Sequence, residues 1–175
     1  MSQVEKIAGE LHALTAGVER AQGLTAAADN QAQEVALRAA GAGFAAVAAG
    51  MARVRSAIGD IRGGLTALAV AVDEATKGTA SVPREATPQD TIGALAPVRQ
   101  GIIGAREASA ATIAQVDAAK QLAAALLQGG QPGPILQSLE SIKQVLALMT
   151  QRAATAEQTV EAAIAEARRL GSAGN

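Results

Sequence analysis

Cysteine, tryptophan and tyrosine are absent from this chain, and phenylalanine and histidine each occur only once. Without cysteine the chain forms neither disulfides nor thiolate metal sites, which agrees with a cytoplasmic origin. Strands favour aromatic and β-branched side chains, so the shortage of aromatics argues against a β-sheet protein. It also removes the platforms on which single-stranded nucleic acids stack. These absences favour an all-helical protein that does not bind nucleic acid.

Long runs of one charge sign or of apolar residues are also lacking. Lys and Arg number 15 against 16 Asp and Glu, for a net charge of −1, and no basic block offers an electrostatic footprint for nucleic acid. No run of 18 apolar residues exists, so we expect no transmembrane helix. Glu5, Lys6 and Glu10 stand where a signal peptide needs a basic start and an unbroken apolar run. We expect a cytoplasmic protein, or one exported without a cleavable signal peptide.

What the chain does have is alanine, the best helix former, at about a quarter of its residues. Along four stretches, apolar residues recur at steps that alternate between three and four, the heptad pattern typical of coiled-coil packing. The four stripes run from Val4 to Ala39, from Phe44 to Ala75, from Leu95 to Leu126 and from Ile135 to Leu170. We therefore predict an all-α protein, an elongated antiparallel four-helix bundle built from two tandem helical hairpins.

Glycine and proline mark the boundaries of these elements. The first hairpin is predicted over residues 1–76, with helices at about 2–39 and 44–76 and a corner at 40–43, where Gly41 and Gly43 break the register. Residues 77–89 collect Gly, Pro, Ser and Thr and are predicted to be a linker. The second hairpin is predicted over residues 90–171, with helices at about 90–128 and 134–170. Residues 172–175 are predicted to be a frayed tail.

Local signals refine the helices. Thr87 is predicted to cap the third helix, with Pro88 in its first turn and Asp90 placed to suit the helix dipole. Pro97 lies inside that helix and clashes with the carbonyl of the residue four positions earlier, so we expect a kink or restart near Pro97. Gly50 is predicted to lie off the apolar stripe of the second helix.

Residues able to perform chemistry do not combine into a recognisable site. His12 has no histidine or acid one turn away, as a metal site requires. Glu157 and Glu161 are one turn apart and are predicted to face solvent. Three serines lack a plausible histidine partner, namely Ser109, Ser138 and Ser141. We predict no catalytic, cofactor-binding or metal-binding residues, no cofactor and no small-molecule substrate.

Arginines form two small groups, Arg53, Arg55 and Arg62 on the second helix and Arg168-Arg169 near the end of the fourth. We interpret both groups as solvated flanks of the bundle, because no aromatic side chains accompany them and the net charge is negative.

Two long helices joined at the corner Gly41-Ala42-Gly43-Phe44 resemble the WXG100 (ESX) proteins of actinobacterial type VII secretion, whose hairpins pair into four-helix bundles. Here two such hairpins would be fused in one chain. The Trp-x-Gly signature and the Tyr-based export signal of that family are absent. The whole chain also resembles uncharacterised alanine-rich proteins of actinobacteria.

The leading hypothesis is a non-enzymatic helical-bundle interaction or scaffold protein, associated with a type VII-like secretion system. It would bind a protein partner, or associate with itself, through its helix faces. An alternative is a phasin-like protein that coats a lipid or granule surface, for which the bundle would have to open. A second alternative is a structural protein that assembles into filaments or belongs to a shell.

Overall fold

The computed structural model describes residues 2–83, 85–128 and 133–173. It contains four α-helices: α1 (Gln3–Gly41), α2 (Ala45–Ala80), α3 (Pro88–Leu126) and α4 (Gly133–Ala173). Of the described residues, 93% are helical and none lies in a strand. The prediction of an all-α helical bundle is confirmed. Within the same residues, no helix is long and apolar enough to cross a membrane.

The helices contribute to two compact units. Unit 1 comprises Met1–Val18, Ala67–Ala108 and Leu148–Asn175, and unit 2 comprises Glu19–Thr66 and Ser109–Ala147. Each unit therefore takes a segment from all four helices. The compact units do not coincide with the two halves of the sequence, because helices of one half pack on helices of the other inside each unit.

In unit 2, each helix contacts the next one along the chain, and α4 returns to contact α1. The contacts that join them are Asp29–Arg55 between α1 and α2, Gly50–Leu126 between α2 and α3, Lys120–Glu140 between α3 and α4, and Gln31–Ser138 between α1 and α4. This is the pairing of an up-down bundle with short connections.

In unit 1, three of these interfaces recur. The contacts are Gly17–Met149 and Glu10–Arg152 between α1 and α4, Gly101–Ala75 between α2 and α3, and Arg99–Glu161 and Arg106–Glu157 between α3 and α4. In the three ion pairs among these contacts, the charged nitrogen and oxygen atoms lie 2.6 to 3.2 Å apart, close enough to fix the register of the helices that they join.

The predicted stripes form the buried core of both units. Residues such as Leu11, Leu65 and Leu139 are fully buried. The exceptions lie towards the helix ends: Phe44 and Leu170 are each 62% exposed, and Val4, Val35, Val47 and Leu126 are half-buried. The heptad spacing therefore predicts burial correctly along the middle of the helices and less well near their ends.

The connection between the hairpins is shorter than predicted. Helix α2 continues to Ala80 and α3 begins at Pro88, so four residues of the predicted linker 77–89 are helical at its start and two at its end. Packing accounts for the extension of α2, because Thr79 is buried and donates its hydroxyl to the carbonyl of Ala75. A Cβ on Gly78 would likewise collide with Val98 of α3.

Helix α3 runs through Pro97 without interruption, so the restart is not found, and the alternative expectation of a kink stays a prediction. The residue whose carbonyl loses its partner, Gly93, is exposed, so water can satisfy that carbonyl. On either side of the proline, Leu95 and Val98 are fully buried and hold both parts of the helix against the core.

Two predicted boundaries fall at the ends of α4. Its first turn contains Pro134, where the fourth helix is predicted to begin, whereas residues 129–132, between the two predicted helices, lie outside the described residues. The predicted frayed tail is helical through Ala173, and Ser172 donates a hydrogen bond to the carbonyl of Arg169. Residues 174 and 175 lie outside the described part.

Small residues bring α2 and α3 close together. In unit 2, Gly50 lies off the predicted apolar stripe and is nevertheless buried against the side chain of Leu126. In unit 1, a Cβ on Gly101 would lie 3.1 Å from the carbonyl oxygen of Ala71 and 3.0 Å from the Cβ of Ala75. A methyl group there would therefore press on the backbone of α2, which would have to shift by a few tenths of an ångström.

This close approach predicts opposite effects for two substitutions one turn apart on α3. G101A should lower the free energy of unfolding by about 1–3 kcal/mol, because the new methyl group meets backbone atoms that cannot move aside. The matched control is G104A, whose Cβ would lie 3.7 Å from Ala71, an ordinary contact. It should raise stability by roughly 0.5–1 kcal/mol through helix propensity. Urea unfolding of both variants measures the difference, and equal effects would contradict the packing described.

Candidate functional site

The corner between α1 and α2 is a rigid, tightly bonded turn. The N–H of Gly43 donates to the carbonyl of Ala40 at 3.1 Å, and the N–H of Phe44 donates to that of Ala39 at 2.8 Å. This pair of bonds is a Schellman motif, and Gly43 occupies its left-handed position with φ of 81°. The predicted corner is found, but at residues 42–44, because α1 continues through Gly41 instead of ending at residue 39. The geometry of the turn fixes where the backbone of Phe44 lies.

Phe44 is also the N-cap of α2, since its carbonyl accepts the first helical bond from the N–H of Ala48. At two other helix starts, the N-cap is a hydroxyl residue in a capping box. Ser2 exchanges bonds with Glu5, and Thr87 does so with Asp90, which confirms the predicted cap of α3. Phenylalanine has no side-chain acceptor and is a poor N-cap. The capping role of this position therefore does not account for an aromatic residue.

The surroundings of Phe44 are small and uncharged. Between Arg38 and Arg53, residues 39–52 include no charged side chain and are mostly Ala and Gly. Residues 40–46 are all exposed. We call residues 40–46 the apolar corner. It presents the chain's single aromatic side chain on a fixed backbone, with neighbours small enough to let another surface approach closely.

A second candidate is an open groove of mixed polarity in unit 1, with a volume of about 580 Å³. The start of α1, the start of α3 and the end of α4 form its walls. Its apolar lining comes from Val4, Ala86, Pro88, Leu95, Ala163, Ala167 and Leu170, and its polar lining from Ser2, Gln3, Thr91 and Glu166. Among the described residues, Glu166 is the ionisable residue in this lining. We call this feature the end groove, and its volume lies in the range of ligand-binding clefts.

The arginine group predicted on α2 is partly neutralised in the structure. Arg55 donates to both carboxylate oxygens of Asp29 on α1, at 2.9 and 3.3 Å, and Arg62 lies 3.7 Å from the same carboxylate. The hydrogen bond from Arg55 holds the pKa of Asp29 below its usual value, against the opposing effect of burial. These two arginines thus join α1 to α2 instead of forming a free basic surface.

Other polar residues singled out from the sequence also lie in helix contacts. Glu157 is half-buried and pairs with Arg106, so the expectation that it faces solvent is wrong, and Glu161 pairs with Arg99. Ser138 donates to Gln31, and Ser141 to the carbonyl of its own helix at Gln137.

His12 and Ser109 lie in contrasting surroundings. His12 is exposed, whereas Ser109 is buried and its hydroxyl has no hydrogen-bond partner. The described residues contain no group of three or more His, Cys, Asp or Glu side chains that could hold a metal ion. Of the singled-out polar residues that the structure describes, Arg55 and Arg62 are brought together, at the carboxylate of Asp29.

Comparison with known proteins adds one similarity. Residues 86–172 match the model of a family of unknown function, DUF6244. The match begins just before α3 and ends within α4, so it covers the second hairpin and slightly less than half of the chain. No curated protein and no solved structure matches the chain.

The apolar corner and the end groove were both missed as sites from the sequence, although two signals pointed to the corner. The step from Ala39 to Phe44 is five, which breaks the heptad register and places Phe44 at the first position of the second stripe, directly after the corner. Phe44 also follows Gly43 directly, where a helix start favours Ser, Thr, Asp or Asn. The groove leaves no comparable signal, because it joins segments that are far apart in the sequence.

The pair between Asp29 and Arg55 predicts a dependence of stability on pH. Because the pKa of Asp29 is lowered in the folded state, its contribution is present above the usual Asp pKa of about 3.9 and is lost as the pH falls through the lowered value. D29N should cost about 1 kcal/mol at neutral pH, and the difference from wild type should vanish in acid. Urea unfolding across this range measures it. D60N is the control, because Asp60 is exposed, and an acid-independent cost of D29N would contradict the assignment.

The N-cap position of Phe44 predicts the order of two variants. F44A removes the ring without supplying a cap, whereas F44S removes it and adds a hydroxyl that can accept a bond from the first turn of α2. F44S should therefore be more stable than F44A by about 0.5–2 kcal/mol. Thermal and urea unfolding test the order, and equal stability of the two variants would show that Phe44 does not cap α2.

Proposed function

We propose that this chain is a non-enzymatic interaction protein, and that the apolar corner is the surface through which it binds a protein partner. The observation that carries the proposal is the 62% exposure of Phe44 on a rigid turn, at a position where the fold itself favours a capping side chain. Exposed aromatic anchors surrounded by small residues are typical of binding hot spots.

The free energy that burial of the Phe44 ring would contribute is large enough for such a role. A phenylalanine side chain buries roughly 200 Å² when fully covered. Covering the 62% that is exposed would contribute about 3 kcal/mol at 25 cal/mol per Å². That is enough to change an affinity by about a hundredfold. One ring with small neighbours gives much weaker attachment to a lipid surface, because stable anchoring requires more buried hydrocarbon.

The secretion-linked role suggested by the WXG100 resemblance is a narrower form of this proposal. In that form, the partner would be a component of a type VII-like system. The support is architectural, since four long helices pack as an all-α bundle and two of them meet at the glycine corner.

Affinity capture from a lysate of the native organism tests the proposal, with wild type, F44S and V70S as baits. F44S should lose the partner by at least tenfold, because the anchoring ring is gone while a capping side chain maintains α2. V70S is the matched control, since Val70 is 53% exposed on α2 outside the corner, and it should retain the partner. Circular dichroism verifies that the three baits are equally helical.

A partner that binds wild type and F44S equally would overturn the proposal. Loss of binding in both F44S and V70S would also contradict it, because the effect would then not belong to the corner. Flotation with anionic vesicles provides the remaining comparison. Vesicle binding that depends on Phe44, with no protein captured, would support the phasin-like surface association instead.

A further inference from the structure

The two parts of helix α1 differ in the size of the side chains that they bury. In unit 1, residues 2–18 place four large aliphatic side chains in the core, Ile7, Leu11, Leu14 and Val18. In unit 2, residues 19–41 bury no side chain larger than threonine, and Leu24 and Val35 are only half-buried. The buried residues of that part are Ala21, Thr25, Ala28, Ala32 and Ala39. Burying alanine removes much less apolar surface from water than burying leucine, so packing holds this part of α1 weakly.

Residues 19–41 are an exception among the helix segments of the two units. Each of the other seven segments buries at least one valine, leucine, isoleucine or methionine. In unit 2, most of the large core side chains belong to α2 and α4, such as Ile61 on α2 and Ile142 on α4. The second part of α1 can therefore leave the core without withdrawing a large side chain from it.

Polar contacts between this part of α1 and its neighbours lie within a single turn. Asp29 accepts hydrogen bonds from Arg55 of α2 at 2.9 and 3.3 Å, and Gln31 accepts one from Ser138 of α4 at 2.9 Å. The Arg55 side chain is 40% exposed, so water competes for its pair with Asp29 and limits the contribution of the pair to stability.

Gly23 marks the beginning of the weakly held stretch. It is exposed, and a Cβ added to it would meet nothing within 4 Å, so packing does not require glycine there. Because glycine is the poorest helix former after proline, it weakens α1 at this position. We propose that residues 24–39 form a strap that detaches from the core of unit 2, with α1 interrupted at Gly23 and the rest of the fold in place.

Detachment of the strap changes what the surface of unit 2 presents. It uncovers aliphatic side chains of α2 and α4 that are buried while the strap is closed. The strap is thus a conformational device that exposes apolar surface transiently, drawn from the low-stability part of the structure as segments that move commonly are. It does not depend on whether the apolar corner binds a partner.

Native-state hydrogen exchange of the full-length protein, followed by mass spectrometry or NMR, tests the strap. Amides of residues 25–38 should exchange through its local opening, whereas those of residues 7–18 require a larger unfolding. The first group should therefore be less protected by roughly tenfold or more, after correction for intrinsic exchange rates. Equal protection of the two groups would overturn the proposal.

G9A and G23A form a matched pair, because both glycines are exposed positions of α1 where a Cβ meets nothing within 4 Å. Each alanine should favour the helix by about fivefold. G23A should slow exchange in both groups of amides by that factor, because residue 23 leaves the helix in the local opening and in global unfolding. G9A should slow residues 7–18 alone, because residue 9 stays helical while the strap is detached.

Two results with these variants would contradict the strap. Slowing of residues 25–38 by G9A as strongly as by G23A would show that α1 opens as one unit. Exchange of residues 25–38 that G23A leaves unchanged would show that α1 is not interrupted at Gly23. Circular dichroism and urea unfolding verify that both variants fold as the wild type does.

Discussion

The structure depends on how closely its helices approach each other. Where α2 meets α3 in unit 1, no Cβ fits at Gly101 without pressing on the backbone of Ala71. In unit 2, the side chain of Leu126 occupies the space that a Cβ on Gly50 would need. Small residues recur on α2 every seven positions, at Gly50, Ala57, Gly64, Ala71 and Gly78. This period matches the heptad of the core, so one face of α2 stays small along its whole length. In a chain with few large side chains, the van der Waals contacts between helices thus come from the close approach of backbones and small side chains, and less from bulky residues.

Ion pairs have a different role from the small residues. Most interhelical pairs lie at partly exposed edges of the core, where each contributes little to stability. Their value lies in register, since a one-turn slip of α4 against α3 would separate Arg106 from Glu157 and Lys143 from Asp117. Long helices with repetitive Ala-rich faces need such markers, because the heptad alone permits several alignments. Helix pairing therefore explains Arg55 and Arg62 of the basic group on α2, and both members of the acidic pair, Glu157 and Glu161.

How much the sequence predicts follows from which interactions are local. The stripes, the Thr87 cap and the Gly43 corner depend on neighbouring residues, and the structure contains each of them. The extension of α2 to Ala80 depends on contacts such as Gly78 with Val98, which no local pattern encodes. The same holds for Asp29, whose partner is 26 positions away, and for the end groove, whose walls come from three helices. The exposure of Phe44 is partly predictable. Its position directly after Gly43 can be read from neighbouring residues, whereas the absence of another helix over its ring depends on the tertiary fold.

At the corner between α1 and α2, the requirements of the turn explain Gly43, whereas those of the N-cap do not explain Phe44. A Schellman turn requires glycine at one position, and Gly43 supplies it with its positive φ. The next position begins α2, and a hydroxyl or carboxamide there would satisfy an N–H of the first turn. Ser2 and Thr87 occupy the equivalent position in α1 and α3 and make those bonds. Phenylalanine at position 44 forgoes that bond and leaves most of its ring in water. N-capping favours a different residue there, and the exposed ring adds little to the core, which is why the interaction proposed for this chain begins from Phe44.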